Sequence, residues 1–235
     1  MKCRLCLKSA ELRDSHVIPE FLYKALYDSK HRAMGVHGQG NKKWQYLQKG
    51  LRERLLCEKC EQFLNDQYEK YFHDLWFSKS SIPFTCDTAK VYEITGIDYP
   101  KFKLFHLSIL FRAGVSSLPT FTQVDLGPHE DRLRVMLLNH DPGMSTDYQI
   151  FAYIVVKKDG GVVQKLISQP IRIKADGHTV YNIMFGGCSW HYMVSSHNLP
   201  EFRKVALRSG GTIYLSAERW EEEPLIQGLK EILNR

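Results

Sequence analysis

Cys3-Arg4-Leu5-Cys6 and Cys57-Glu58-Lys59-Cys60 are two C-x-x-C pairs of identical spacing. Reading them together decides the fold of the first third of the chain. Two intervening residues let both thiolates of a pair reach one ion while nearby backbone amides satisfy the sulfurs. Two such pairs complete a tetrahedral four-sulfur set, the donor chemistry of structural zinc. The expected site is therefore one Zn²⁺ on Cys3, Cys6, Cys57 and Cys60. It would tie the N-terminus to the start of a helix across about 50 residues, a staple that a segment with little core needs. The other two cysteines, Cys86 and Cys188, stand alone and read as core residues.

Working outward, residues 60–77 carry Phe63, Leu64, Tyr68, Tyr71, Phe72, Leu75 and Trp76 at helical spacing. Residues 19–27 (PEFLYKALY) read as a short helix with Pro at its start. Residues 43–57 read as extended, with a turn at Gly50. The pattern breaks at Ser and Pro in residues 80–84, where the chain is expected to divide into a domain of residues 1–80 and one of residues 81–235.

In the second stretch, strands are expected over 90–95, 149–156, 171–174, 180–185, 189–194 and 212–215. Helices are expected over 102–115, 130–138 and 221–233. Turn signals stand at Asp159-Gly160-Gly161 and Asp176-Gly177. The fold class is thus α+β: a small zinc-bound ββα, treble-clef-like module, then an α+β domain with a mostly antiparallel sheet. Residues 81–235 carry no motif with a mechanism. Gly186-Gly187 reads as a turn, and His191 and His197 as core or surface residues. Recognition is the expected role of this half, of a protein partner, a regulatory ligand, the nucleic acid or a second copy of itself, and the sequence does not choose among these.

Composition narrows the function class. Apolar residues make up 43% and charged residues 25%, as in ordinary globular chains. No apolar run reaches the roughly 18 residues that span a bilayer, so no membrane partner is expected. The N-terminus has charges and no apolar stretch of a secretory signal, so a cytoplasmic protein is expected, with cysteines as metal ligands or buried thiols. Net charge is +6. Residues 1–80 hold 15 Lys/Arg against 10 Asp/Glu, and residues 81–235 hold 17 against 16, so the surplus sits with the cysteine pairs. That points towards nucleic acid, with a solvated basic face as the plain alternative.

Between the pairs lies Asp14-Ser15-His16-Val17-Ile18-Pro19. A C-x-x-C, then His in an H-[IV]-[IV]-P string, then a second C-x-x-C opening a helix resembles the HNH (His-Me finger) endonucleases built on zinc knuckles. The resemblance covers residues 1–75. It implies a ββα metal motif in which His16 is the general base that activates water. It also implies one Mg²⁺ or similar cation, held by a residue just before the histidine and by one at the helix start. Carried over, those positions are Ser15, where the family usually has Asp, with Asp14 one further back, and Glu61. The family's middle Asn is missing from the stretch Gly50-Leu51-Arg52-Glu53. Successive strand residues point to opposite faces, so Asp14 replaces Ser15 only if the strand bulges.

Arg32 (with His31 beside it), Lys42, Lys43, Arg52 and Arg54 are the candidate phosphate contacts, DNA ahead of RNA. Trp44 and Tyr46 among them suit either core packing or base stacking. By analogy the family implies restriction or phage defence. A zinc-stabilised module that binds nucleic acid or protein without catalysis is the alternative.

Overall fold

The computed structural model describes residues 1–30, 32–36, 44–79, 81–175, 177–195 and 203–222. His31, Lys42, Lys43, Asp176, His197 and residues 223–233 of the expected last helix lie outside the described residues.

The chain opens with the first cysteine pair and then strand β1 (Leu12–His16). Pro19 fixes the turn that starts helix α1 (Glu20–Tyr23), which tightens into a 3₁₀ turn over Lys24–Leu26. Strands β2 (Arg32–Val36) and β3 (Trp44–Gln48) form a hairpin of their own, Arg32 opposite Gln48. Lys49 (φ +67°) and Gly50 (φ +68°) then reverse the chain with two consecutive left-handed residues. Only glycine fits at position 50: a Cβ there would stand 2.8 Å from the Tyr23 ring. Strand β4 (Arg52–Cys57) follows and pairs antiparallel with β1, with Ser15 opposite Glu53 and His16 opposite Arg52. A bulge falls between Leu12 and Asp14.

Helix α2 (Glu58–Leu64) starts directly at the second cysteine pair. It runs on through π-helical turns at Asn65–Glu69 and Asp74–Ser78, with α3 (Lys70–His73) between them. Strand β1, strand β4 and helix α2 therefore stand in ββα order, with β2 and β3 inserted between the two strands.

Strand β5 (Val91–Ile94) precedes helices α4 (Tyr99–Val115) and α5 (His129–Leu138). Helix α4 is apolar around most of its circumference and is buried accordingly, including Phe102, Phe105, Ile109 and Phe111. Strands β6 (Ile150–Val156), β7 (Ile171–Ala175), β8 (His178–Phe185), β9 (Cys188–Val194) and β10 (Ile213–Arg219) complete the set. The sheet order is β5-β10-β6-β9-β8-β7, antiparallel at every pairing except β10 with β6. The fold is thus α+β with a mostly antiparallel sheet, as expected.

The chain forms two compact units, each from two stretches: Met1–Asp74 with Pro100–Pro142, and Leu75–Tyr99 with Gly143–Arg235. This grouping is discontinuous in sequence, whereas the division expected at residue 80 is a single cut. The physical reason lies in the aromatic packing of the first unit. Phe72 stacks on Phe105 at 3.9 Å between ring centres and meets Phe102 at 5.5 Å. Phe21 from α1 joins them. The Tyr68 hydroxyl donates to Leu137 O at 2.9 Å. The first 74 residues and helices α4 and α5 thus share one core.

In the second unit the Trp190 indole donates to Phe185 O (3.1 Å) and the Trp76 indole to Gly186 O (2.9 Å), with the two rings 5.1 Å apart. Gly211 (φ +76°) is fixed by close approach, since a Cβ would lie 2.1 Å from Ile97 O. Cys86 and Cys188 are both buried there, as core residues.

Candidate zinc centre and histidine site

The first cysteine pair sits in a tight turn. Leu7 N–H donates to Cys3 O at 3.0 Å, and Cys3 N–H to Lys8 O at 3.0 Å, with Leu7 left-handed (φ +60°). Arg4 N–H donates to Leu55 O at 3.0 Å and ties this turn to β4. The second pair straddles the β4–α2 junction, so both pairs meet where the strand ends. The sulfurs of Cys3, Cys6, Cys57 and Cys60 all lie within 4.8 Å of one another, and Cys6 and Cys57 are 3.9 Å apart. A tetrahedral zinc with Zn–S bonds of about 2.3 Å sets sulfurs roughly 3.8 Å apart. All four cysteines are free thiols, with no disulfide among them.

The thiols differ in their surroundings: burial pushes Cys6 and Cys60 up, whereas Cys3 is lowered. Burial pushes the Cys3 thiol up, but backbone N–H groups of Cys57, Cys6 and Leu5 outweigh it and leave the pKa lowered. One of these, Cys57 N–H, donates to Cys3 Sγ at 3.3 Å. Amides aimed at sulfur are what stabilises a metal-bound thiolate. The four cysteines can hold a zinc ion, and among the described residues no other group of three or more His, Cys, Asp or Glu ligands comes together.

His16 stands at the C-terminal end of β1 with its side chain 16% exposed. Its Nε2 touches the Glu20 carboxylate and lies 3.0 Å from Lys49 O. The Arg52 Nε is 2.9 Å from the same ring nitrogen and 2.9 Å from Lys49 O. Burial, then the Arg52 charge, lower the imidazole pKa; Glu20 and Lys49 O act in the opposite direction without cancelling them. The balance favours the neutral imidazole. Its backbone carbonyl accepts from Arg112 Nη1 at 3.0 Å.

Arg112 is buried and pairs with Glu69 at 2.9 Å. Its Nε and Nη2 donate to Ser108 O (3.2 Å) and Ser108 Oγ (3.3 Å). Helix α4 thus reaches the end of β1 with a guanidinium.

Glu61 lies in the first turn of α2 and is half-buried, with its buried Oε2 lacking a hydrogen-bond partner. Burial raises its pKa against the pull of Arg112, the Ser15 hydroxyl and Arg52. Ser15 is fully buried and faces Glu61's side of the strand; its Oγ accepts from Leu56 N–H at 3.2 Å. Asp14 points the other way and is 63% exposed, with its carboxylate 3.7 Å from Arg52 Nη1. The bulge of β1 falls before Asp14, so Asp14 and Ser15 keep opposite faces.

The site residues thus fall into two linked groups. His16, Glu20, Arg52 and Asp14 form one; Ser15, Glu61, Glu69 and Arg112 form the other. Arg52 and Arg112 act on both.

Of the candidate phosphate contacts, Arg32 is held by Asp28 at 2.8 Å and 3.0 Å. Arg52 is engaged at His16, and Arg54 is exposed on β4. Sequence reasoning missed Glu20 and Arg112. The signal for Glu20 was its i,i+4 spacing from His16. For Arg112 it was a charge inside an otherwise apolar helix.

No helix among the described residues is long and apolar enough to cross a membrane. The comparisons with known proteins end without a relative: no family model, no curated protein and no solved structure matches this chain.

Proposed function

We propose that this chain is a nuclease of the HNH type, hydrolysing phosphodiester bonds with His16 as general base, on a ββα finger stapled by zinc. The observation that carries the reading is the state of His16. It ends the first strand of a β1-β4-α2 arrangement, its Nε2 meets Glu20, Lys49 O and Arg52, and its pKa is lowered. A neutral imidazole at pH 7 can take a proton from an attacking water, an effect typically worth 10²–10⁴-fold. The water oxygen bonds to phosphorus, its proton passes to His16, and the bond to the leaving oxygen breaks.

Glu61 fits a divalent-cation ligand, because it offers a partnerless carboxylate oxygen at the helix start. Mg²⁺ commonly binds through one or two carboxylates plus waters and substrate phosphate. When bound, it supplies charge neutralisation at the phosphate. Asp14 and Ser15 do not complete a cage with Glu61: one faces away and the hydroxyl of the other is engaged in the strand. That same feature favours the second reading, a zinc-stabilised module that binds nucleic acid without cutting it. DNA as substrate, and a place in restriction or phage defence, belong to the first reading by resemblance.

The test is cleavage of plasmid DNA and of a mixed RNA pool by purified protein with Mg²⁺, with Mn²⁺ and with EDTA, alongside Glu61→Gln. The nuclease reading expects cleavage that needs a divalent ion and falls sharply in Glu61→Gln. Retained binding with no cleavage under any condition selects the binding module.

A further inference from the structure

We propose that Glu20 is the positioning residue of His16: its carboxylate takes the Nε2 proton and so presents Nδ1 as the proton acceptor. This rests on the nuclease reading above.

Nε2 of His16 meets two acceptors. Glu20 Oε2 touches it, and Lys49 O stands 3.0 Å away. Both are acceptors only, so a lone pair on Nε2 would face two other lone pairs. The proton therefore belongs on Nε2. Arg52 Nε is equidistant, at 2.9 Å, from Nε2 and from Lys49 O. With Nε2 protonated, the Arg52 N–H goes to the carbonyl, and every donor has an acceptor. The tautomer of an imidazole is set by the bond that one nitrogen makes, and the other nitrogen is left as the base.

Glu20 is itself held in place. Tyr27 Oη donates to its other oxygen, Oε1, at 2.9 Å, and Arg52 Nη2 lies 3.8 Å from Oε2. The local sequence builds this arrangement. His16 ends β1, Val17 and Ile18 are buried, and Pro19 starts α1 so that Glu20 is its first residue. A strand-to-helix corner of three residues brings the carboxylate back over the ring.

The charged groups facing His16 are Glu20 with Tyr27 behind it, Arg52 with Asp14 behind it, and Arg112 on its backbone carbonyl. Among the described residues, Glu20 is the one that combines negative charge with direct contact to the ring. As the imidazole takes up a proton, that carboxylate stabilises the cation on the side away from the water. A carboxylate in this relation to a catalytic histidine orients the ring and stabilises the imidazolium without being protonated itself.

The test has one arm that does not depend on cleavage. Long-range ¹H–¹⁵N correlation of the histidine rings of the full zinc-loaded chain reports the tautomer, with His16 assigned by the signal lost in His16→Gln. The expected result is a single Nε2–H tautomer in the wild type and a mixture in Glu20→Ala. An Nδ1–H tautomer in the wild type, or a pure Nε2–H tautomer that persists in Glu20→Ala, overturns the proposal. The second arm reads kinetics in Glu20→Gln and Tyr27→Phe, both with zinc content matched to the wild type. Glu20→Gln is expected to lower kcat at least tenfold with KM within twofold, and Tyr27→Phe to lower it less. An unchanged kcat, or an effect confined to KM, overturns it. If the wild type cuts no nucleic acid while the tautomer responds to Glu20, the nuclease reading has failed and the positioning contact has not.

Discussion

Removing the Arg112 guanidinium should expose how much the buried ion pair holds the histidine finger together. Arg112 is 2% exposed at its side chain and Glu69 14%, at 2.9 Å. Arg112→Met fills similar space with an apolar chain. It leaves the Glu69 carboxylate without its charge partner and strips His16 O and Ser108 of donors. Breaking a buried pair from one side costs about 3–5 kcal/mol, because a charge remains without compensation. Glu69→Leu should cost less, since the guanidinium keeps His16 O and the two Ser108 oxygens. The double variant removes both charges and should cost less than Arg112→Met alone, although His16 O and Ser108 still lack the guanidinium. The assay is urea unfolding of the four proteins in a double-mutant cycle, followed by far-ultraviolet circular dichroism at fixed zinc. A large coupling energy that favours the pair is the expected result. Additive single effects, or single variants each costing under about 1 kcal/mol, would refute the reasoning that the pair is desolvated and mutually dependent.

Three further outcomes follow from the same structure. Chelation of the metal should unfold the first unit, because binding free energy in such sites is folding free energy; elemental analysis should give one zinc per chain, and Cys3→Ser should lose it, whereas Cys86→Ser should not. Gly50→Ala should destabilise by about 2 kcal/mol or more by thermal or urea unfolding, since alanine meets the left-handed φ of +68° and the Tyr23 ring at 2.8 Å. His191 is buried and its pKa is held down to about 4 by burial. The unfolded chain binds that proton near pH 6.5, so stability from this group is fully present above pH 6.5 and is lost as pH falls towards 4. The span corresponds to on the order of 3 kcal/mol. Wild-type urea midpoints should fall across that window, and those of His191→Gln should fall less. Equal slopes in the two proteins would contradict this.

What could be read in the chain, and what could not, has a physical pattern. The two C-x-x-C pairs carry their geometry in their spacing, and the four sulfurs do converge. The strands of the sheet were legible because long apolar runs such as IFAYIVV and CSWHYMV each have a glycine turn at one end. The helix over Tyr99–Val115 was legible as a buried element, but its partner was not. Burial by Phe72 and a guanidinium aimed at His16 O are contacts between segments far apart in sequence, and periodicity carries no trace of them. Glu20 was hidden for a different reason: its role depends on the sharpness of the Pro19 corner. The strand Arg32–Val36 went unread because Ala33, Gly35 and the flanking charges carry a weak strand signal.

The central claim is that His16 is the proton acceptor of a hydrolytic site. The most direct test compares wild type with His16→Ala, each carrying one zinc, for cleavage and for affinity towards the same labelled DNA duplex in Mg²⁺. The expected result is unchanged affinity and a cleavage rate at least 100-fold lower in the variant. Cleavage that persists at the wild-type rate in His16→Ala would contradict it.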